Sequence, residues 1–181
     1  MKSRLCLSTV LAGMLLTLAQ GSAVAQSGTA SSAGAWGLQY GVDSDVHRLT
    51  VNYETPVWWS HQFSASRLDL VGEFGLSYWR VHGGSDGPSN AWQASAIPMF
   101  QWWLTPRFFV EAGIGATVFS RTRIGEQNLG SAFQFGDHIG VGYQVNDNVR
   151  VNLRASHFSN AGIKEPNDGV NSFQLGMTMR W

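Results

Sequence analysis

Apolar and polar residues alternate with a period of two along most of the chain, which is the pattern of β-strands with one apolar and one polar face. In the segment 66–81, for example, Leu70 and Phe74 fall on one face and Glu73 falls on the other. Eight segments have this pattern, at 35–43, 47–58, 66–81, 90–103, 107–120, 131–145, 148–159 and 171–181. The sequence therefore predicts an all-β fold of eight strands.

The composition indicates that these strands form a barrel in a membrane. Only 13% of the residues are charged, 12% are aromatic with eight tryptophans, and 21 glycines are present. No apolar run beyond the N-terminal region approaches the roughly 18 residues of a membrane-spanning helix. A soluble β-barrel or sandwich would also show alternation. The last segment, however, alternates through Phe173 and Leu175 to Trp181, as the final strand of bacterial outer-membrane barrels does. We therefore predict an eight-stranded antiparallel transmembrane β-barrel in the bacterial outer membrane.

The polar face predicts a narrow, filled interior. An eight-stranded barrel has room for little more than its own side chains, so inward charges are expected to pair rather than to line a channel. The charged residues with inward parity are Glu54, Glu73, Glu111, Arg48, Arg150, Arg154 and Arg180. In the fourth segment, Pro98 predicts a β-bulge because proline cannot donate to a strand ladder.

Residues 1–25 have the pattern of a secretory signal peptide. Two basic residues open the segment, an apolar stretch follows, and Ala-Val-Ala at 23–25 is a small-residue cleavage motif. We expect the barrel domain to comprise 26–181. The single cysteine, Cys6, falls in the removed segment, so the mature chain is expected to have no disulfide and no thiolate. The formal net charge of zero gives no indication of a nucleic-acid partner.

One histidine and one serine interrupt the apolar face of the seventh strand. His157 and Ser159 share the parity of Val149 and Leu153, which points toward lipid. With both termini in the periplasm, this strand rises outward, and His157 lies roughly 20 Å above Val149. That depth is the outer leaflet, where lipid A carries ester bonds. Histidine is the usual base that activates a serine hydroxyl, so the pair is a candidate esterase dyad, with Asn171 outward on the next strand.

The segment around these residues resembles a known family. The run His-Phe-Ser-Asn-Ala-Gly-Ile-Lys-Glu-Pro-Asn-Asp-Gly at 157–169 resembles the signature of the PagL family of outer-membrane lipid A 3-O-deacylases. The segments 109–115 and 125–131 are similar to other stretches of that family, and the resemblance is strong over 107–173. It implies an eight-stranded barrel whose outward Ser-His-Glu triad hydrolyses the ester-linked 3-hydroxyacyl chain at position 3 of lipid A, without a metal.

Carried over to this sequence, the resemblance makes Ser159 the nucleophile and His157 the general base of a serine carboxylic-ester hydrolase. Where the family has the glutamate, this sequence has Asn171. An amide can orient the imidazole but cannot stabilise its positive charge, and the analogous change in serine proteases costs about 10⁴-fold. Asp137, which has outward parity on the sixth segment, is the alternative acid. Further alternatives are the loop acids Glu165 and Asp168, although acids in turns are usually solvated.

The loop after the dyad contains the other candidate site residues. Asn160, Gly162 and Asn167 are candidate oxyanion donors through backbone or side-chain N–H groups, although the same residues are also ordinary turn formers. The cations Arg121, Arg123 and Lys164 are candidates for binding the lipid A phosphates, although surface cations often have no such role.

No cofactor is expected. His47, His61, His82 and His138 have no partners at metal-ligand spacing. The expected partners are lipid A and the surrounding outer-membrane lipid, and the outward site is compatible with a homodimer in which a second barrel shields it. Two other functions compete with the deacylase: a structural or adhesive small barrel, and a palmitate transferase of similar size. The first would leave the mass of lipid A unchanged, and the second would increase it.

Overall fold

The computed structural model describes residues 33–82 and 87–180, and these residues form strands and connecting loops. The strands are β1 (Ala35–Asp43), β2 (Val46–Glu54), β3 (Trp59–Gln62), β4 (Arg67–Val81), β5 (Asn90–Trp103), β6 (Phe108–Phe119), β7 (Arg123–Ile124), β8 (Gln127–Asn128), β9 (Phe133–Gln144), β10 (Val149–Ser159) and β11 (Val170–Met179). The signal peptide predicted over 1–25, the start of the domain at 26 and Trp181 lie outside the described residues. Within them, no helix is long and apolar enough to cross a membrane.

The main sheet closes into the predicted barrel. Its strands follow the order β2, β1, β11, β10, β9, β6, β5, β4, β3, every pairing is antiparallel, and an additional pairing of β2 with β4 closes the ring. Strand β3 continues the course of β2 along β4, and β7 and β8 form a separate hairpin between β6 and β9. The architecture is therefore a closed barrel of eight antiparallel strands.

The second predicted strand is interrupted by a bulge. The alternation predicted one strand over 47–58, but β2 ends at Glu54 and β3 begins at Trp59. Glu54 pairs with Glu73 of β4, and Trp59 pairs with Leu70, so this side of the ladder has two more residues than β4. Pro56 lies in the inserted stretch, where its missing N–H does not break a ladder bond.

The prediction of a β-bulge at Pro98 is wrong. On the two sides of this proline, Ala96 pairs with Ala116 and Met99 pairs with Gly113 of β6. Two residues separate the partners on each strand, so the register continues without an inserted residue. Pro98 points outward, and its strand stays regularly paired with β4 on the other side. The missing donor interrupts the ladder without shifting the register.

The inward charges pair across the barrel, as the sequence predicted. Arg154 lies 2.6 Å from a Glu73 oxygen and 2.8 Å from a Glu111 oxygen. Arg150 lies 2.6 Å from Glu54. All five side chains are buried. Any shift of these strands that separated a pair would leave a buried charge unpaired, which is strongly destabilising. The pairs therefore fix the relative positions of the strands that they join.

Arg48 differs from the other interior cations. Its guanidinium donates to Ser77 Oγ at 3.1 Å and to Gln174 Oε1 at 3.0 Å, and it packs over the rings of Trp79 and Phe158. Trp79 and Phe158 belong to a buried apolar cluster near the hairpin end of the barrel. The other members of this cluster are Ala91, Phe119, Ile124, Leu129 and Val170. This cluster closes the lumen beneath the hairpin.

The outer surface of the barrel is apolar. Large side chains with outward parity are half exposed on every wall, among them Leu38, Val51, Leu76, Ile114, Ile139, Leu153 and Leu175. In water, such a belt would be unfavourable, whereas hydrocarbon matches it. The apolar exterior and the closed ladder together agree with insertion in a membrane.

Candidate active site

Three polar side chains interrupt the apolar exterior at the same level of three neighbouring strands. His157 of β10 is the register partner of Asn171 on β11 and, on its other side, of Asp137 on β9. Directly opposed residues in antiparallel strands have Cβ atoms about 4.5–5.5 Å apart. His157 and Asn171 are exposed, and Asp137 is half-buried. The imidazole therefore lies between an amide and a carboxylate.

The imidazole is oriented by the amide. Nδ1 of His157 lies 2.8 Å from Oδ1 of Asn171. Because an amide oxygen can only accept, this contact requires Nδ1 to carry the proton and leaves the Nε2 lone pair available as a base. Asn171 thus lies where an orienting group of a serine-hydrolase triad is needed.

Ser159 lies on the same strand and face as the imidazole. It is two residues beyond His157, opposite Phe135 of β9, and it is half-buried. Residues two apart on a strand have Cα atoms about 6.5 Å apart. Among the hydrogen bonds of the described residues, His157 bonds to Asn171 and none joins it to Ser159. Catalytic hydrogen bonds are often long in free enzymes and shorten when substrate binds.

Gly169 packs against the edge of the imidazole. A methyl group built on this glycine would lie 2.8 Å from Cε1 and 3.4 Å from Nε2 of His157, and its φ of 68° is one that other residues rarely adopt. Only glycine therefore permits this close approach. This role of Gly169 was not predicted, although a glycine directly before the last strand is the sequence signal that could have indicated it.

The loop that follows Ser159 is tied to the β7–β8 hairpin. The Asn160 side-chain nitrogen donates to the backbone oxygens of Leu129 and Lys164, at 2.9 and 2.7 Å. The Asp168 carboxylate accepts the backbone N–H of Asn128 at 2.8 Å. These contacts connect the two segments above the barrel rim and hold the loop next to the imidazole.

These contacts show which N–H groups of the candidate oxyanion donors already bond to protein. Asn160 is fully buried, both of its side-chain N–H groups bond to protein, and its backbone N–H donates to Oδ1 of Asn167. Its geometry therefore disagrees with the predicted role as a donor to substrate. Gly162 has a φ of 76° and open space around it, so its backbone remains accessible. The Asn167 side chain holds Asn160 through its oxygen, which leaves its nitrogen as a candidate donor.

The alternative loop acids do not reach the imidazole through hydrogen bonds within the described residues. Glu165 is exposed, and Asp168 uses its carboxylate on the hairpin. Asp168 thus has a structural contact, whereas turn chemistry predicted a solvated carboxylate at this position. Of the acids considered, Asp137 is the one that the register places beside His157.

The three candidate phosphate-binding cations are exposed around the same rim. Arg121 follows β6, Arg123 lies in the hairpin, and Lys164 lies in the final loop. The Asn128–Asp168 contact brings the hairpin and the final loop together. The cations thus surround the end of the barrel at which His157 is found.

A shallow outer groove of about 680 Å³ runs away from His157. Two adjacent register rows form most of it, and Asp43 at the end of β1 also lines it. The first row contains Asn171, His157, Asp137 and Ile114 and continues to Pro98, and the second contains Phe173, Ala155, Ile139, Ala112 and Phe100. The alanines make the floor low, and the larger side chains form its sides. Sequence alternation identified these residues as outward but could not show that small ones align across strands.

In the described residues, no group of three His, Cys, Asp or Glu side chains is arranged to hold a metal ion. His138 lies inside the barrel, where Nδ1 is 2.7 Å from Ser156 Oγ. His47 contacts the Tyr40 hydroxyl and packs against His82. His61 is exposed beside Trp59.

Comparison with known proteins identifies the family. The family model described as lipid A 3-O-deacylase (PagL) matches residues 47–180. The chain is 53% identical over 169 residues to the lipid A deacylase PagL of Bordetella bronchiseptica, covering 92% of this chain and 93% of that protein. It is 36% identical over 179 residues to the lipid A deacylase PagL of Pseudomonas aeruginosa, covering 97% and 96% of the two chains.

Solved structures agree with this result. The crystal structure of the outer membrane enzyme PagL superposes with a TM-score of 0.66 and 34% identity, over 80% of this chain and 98% of that chain. The Yersinia pestis outer membrane protein Ail has a TM-score of 0.52 at 12% identity, over 83% of this chain and 100% of that chain, and shows the shared barrel fold alone. The chain belongs to the PagL family of lipid A 3-O-deacylases.

Proposed function

We propose that this outer-membrane lipid A deacylase uses serine–histidine catalysis, with Ser159 as the nucleophile and His157 as the general base. The observation that carries the proposal is the outward His157, hydrogen-bonded through Nδ1 to Asn171 and followed on the same face by Ser159. The substrate is the ester that joins the 3-hydroxyacyl chain to position 3 of lipid A in the outer leaflet. The reaction needs only water as the second substrate.

The reaction proceeds in two halves. In the first, Ser159 Oγ attacks the ester carbonyl while Nε2 of His157 takes the hydroxyl proton. The tetrahedral intermediate then expels the sugar 3-oxygen, which receives that proton from the imidazolium, and the acyl chain remains on the serine. In the second half, water loses a proton to Nε2 and attacks the acyl-serine. Release of the 3-hydroxy fatty acid returns the proton to Ser159.

The imidazolium needs an orienting group and a negative charge. Asn171 supplies the orientation through its 2.8 Å contact with Nδ1. Asp137, the other register neighbour of His157, supplies the charge, because a carboxylate on the directly opposed residue, with Cβ atoms about 5 Å apart, stabilises a cation at a site facing hydrocarbon. The two functions that a glutamate combines in a Ser-His-Glu triad are thus divided between two residues on opposite sides of the imidazole.

The end of the barrel that carries the final loop and the hairpin provides the groups that bind the oxyanion and the phosphates. The open backbone at Gly162 and the side-chain nitrogen of Asn167 are the donors for the oxyanion, since Asn160 is committed to protein contacts. The exposed cations Arg121, Arg123 and Lys164 bind the lipid A phosphates at the rim. The apolar groove that starts at His157 accepts the acyl chain of the scissile ester.

Mass spectrometry of lipid A tests the proposal. Lipid A from cells expressing the protein should lose the mass of one 3-hydroxyacyl group, and Ser159→Ala and His157→Asn should each abolish that loss. The matched control is His61→Asn, which changes an exposed outward histidine at the opposite end of the barrel and should leave the loss intact. Full deacylation by Ser159→Ala would overturn the serine mechanism.

The homodimer stays a prediction from the outward position of the site. A second barrel that covers His157 would shield its polar row from lipid. Crosslinking in the membrane through a cysteine introduced at Leu153, an outward and exposed position on the same strand, should capture a dimer in that case. Exclusively monomeric protein would contradict it.

A further inference from the structure

The groove that begins at the imidazole descends along the barrel wall. His157 lies eight residues after the start of β10 at Val149, whereas Pro98 lies five residues before the end of β5 at Trp103. Val149 and Trp103 both lie at the end of the barrel opposite the β7–β8 hairpin. The row from His157 to Pro98 therefore comes closer to that end as it crosses the sheet. A chain in the groove therefore leads from the rim into the apolar belt.

One strand beyond Pro98, the first row of the groove meets a tryptophan. Gly72 of β4 is the register partner of Pro98, and it continues the first row by one strand. The six-membered ring of Trp58 lies directly on Gly72, in the space that a side chain on this residue would occupy. Trp58 itself is 55% exposed and projects on the outside of the barrel. Its indole therefore stands across the row immediately beyond Pro98.

The bulge at Pro56 explains why the indole has this position. The two additional residues between Glu54 and Trp59 move this stretch out of the regular ladder. Thr55 still pairs with Gly72 through its backbone and hydroxyl, and Trp58 N–H donates to Leu70 O at 2.9 Å. The segment is thus attached at both ends, and the indole is held over the glycine between them.

From these relationships we infer that Trp58 limits the length of the acyl chain that the deacylase accepts. This inference rests on the proposed function, because it takes the groove as the seat of the chain being removed. Strands are about 4.8 Å apart, so the three steps from β10 to β5 span about 14 Å. An extended chain advances about 1.2 Å per bond, so this span holds roughly twelve bonds. Chains that extend further must meet the indole.

The floor of the groove also limits which chains fit. Ala112 and Ala155 are the small residues in the second row, and both point outward. A large side chain at Ala112 would fill the groove between Phe100 and Ile139, well before the Trp58 end. Ala112→Trp should therefore shorten the accepted chain, whereas Trp58→Ala should lengthen it.

The experiment measures deacylation by the full-length protein in vesicles, with lipid A analogues that differ only in the length of the chain at position 3. Trp58→Ala should raise kcat/KM for the longest chains at least about tenfold relative to the shorter ones. Ala112→Trp should lower kcat/KM for all but the shortest chains by a similar factor. The matched controls are Trp92→Ala and Ala94→Trp, which make the same changes at outward positions beyond the groove.

Identical chain-length profiles for Trp58→Ala and the native protein would overturn the inference. So would a profile that Trp92→Ala changes equally, because the effect would then belong to the lipid interface in general. These outcomes are separate from a failure of the serine mechanism. If Ser159→Ala remained active, the mechanism would be wrong, but the chain-length profiles would still report on the groove.

Discussion

Nδ1 of His157 lies 2.8 Å from Oδ1 of Asn171, across the ladder that joins the last two strands of the barrel. This contact fixes the tautomer that a general base requires, because it commits the proton to Nδ1. It provides no negative charge. The register supplies a carboxylate on the opposite side of the imidazole, at Asp137. Orientation and charge therefore come from different residues, which can be changed separately.

Removal of the orienting amide should lower the rate. Asn171→Ala leaves Nδ1 without its acceptor, so the imidazole loses both its tautomer preference and its orientation, and kcat should fall about 10²–10³-fold. KM should change little, because Asn171 is placed to act on the imidazole rather than on the substrate. Steady-state kinetics with purified protein in vesicles measure both values. Full activity in Asn171→Ala would show that this residue is not part of the machinery.

A carboxylate at the same position should increase the rate. Asn171→Asp keeps an oxygen beside Nδ1 and adds the charge that stabilises the imidazolium, so we expect kcat to rise about tenfold or more. The appropriate control is the fraction of folded barrel, measured by the mobility shift of unheated protein during electrophoresis. An unchanged rate would mean that charge at this position does not limit catalysis.

Asp137 should matter most while position 171 is neutral. In the native background, Asp137→Asn should lower kcat about 10–100-fold, since it removes the carboxylate that the register places beside the imidazolium. Combined with Asn171→Asp, the same change should cost much less. The coupling in this double-mutant cycle is the measurement. Equal losses in both backgrounds would show that Asp137 does not compensate for the missing charge at position 171.

Alternation and composition were sufficient for much of the fold. Each strand has one face toward lipid and one toward a charged interior, so a period of two identified the strands, and the low charge and high aromatic content indicated a membrane barrel whose inward charges pair. The interruption after Glu54 and the regular register around Pro98 were not predicted. Proline removes a donor in both cases, and whether the strand then bulges depends on neighbouring contacts that a single sequence does not reveal.

The sequence likewise predicted some features of the site and not others. Parity placed His157 and Asn171 outward on neighbouring strands, and Asp137 was recognised as an outward acid. The register that places Asp137 and Asn171 on either side of His157 depends on turn lengths around the barrel, which the pattern does not encode. The burial of Asn160 depends on a contact with Leu129, in a hairpin distant in sequence. The close approach of Gly169 to the imidazole likewise depends on how the final loop folds back over His157, which the pattern does not encode.

Gly169 should tolerate no side chain. In Gly169→Ala, the new methyl group would lie 2.8 Å from Cε1 of His157, so the imidazole must move, and kcat should fall about 10–100-fold. The φ of 68° adds a backbone cost of about 1–2 kcal/mol to folding. Urea unfolding in micelles separates the two effects, because a folded but slow variant is expected. Wild-type kcat in a folded Gly169→Ala protein would contradict the placement of the imidazole.

The interior ion pairs should dominate the stability of the barrel. Arg154→Met leaves the buried carboxylates of Glu73 and Glu111 without their partner, so the free energy of unfolding should fall by about 3–5 kcal/mol. Replacing all three together, as Arg154→Met with Glu73→Gln and Glu111→Gln, should recover a large part of that loss. Denaturant unfolding in micelles gives both values. A triple variant no more stable than Arg154→Met would show that packing rather than charge decides this region.

The central claim is that the acyl chain passes through a covalent bond to Ser159. Rapid acid quenching of the enzyme during turnover of lipid A, followed by mass spectrometry of its peptides, measures this directly. We expect the peptide that contains Ser159 to gain the mass of a 3-hydroxyacyl group, and the gain to disappear in Ser159→Ala. A quenched enzyme that carries the acyl group on another residue, or an active Ser159→Ala protein, would contradict the account.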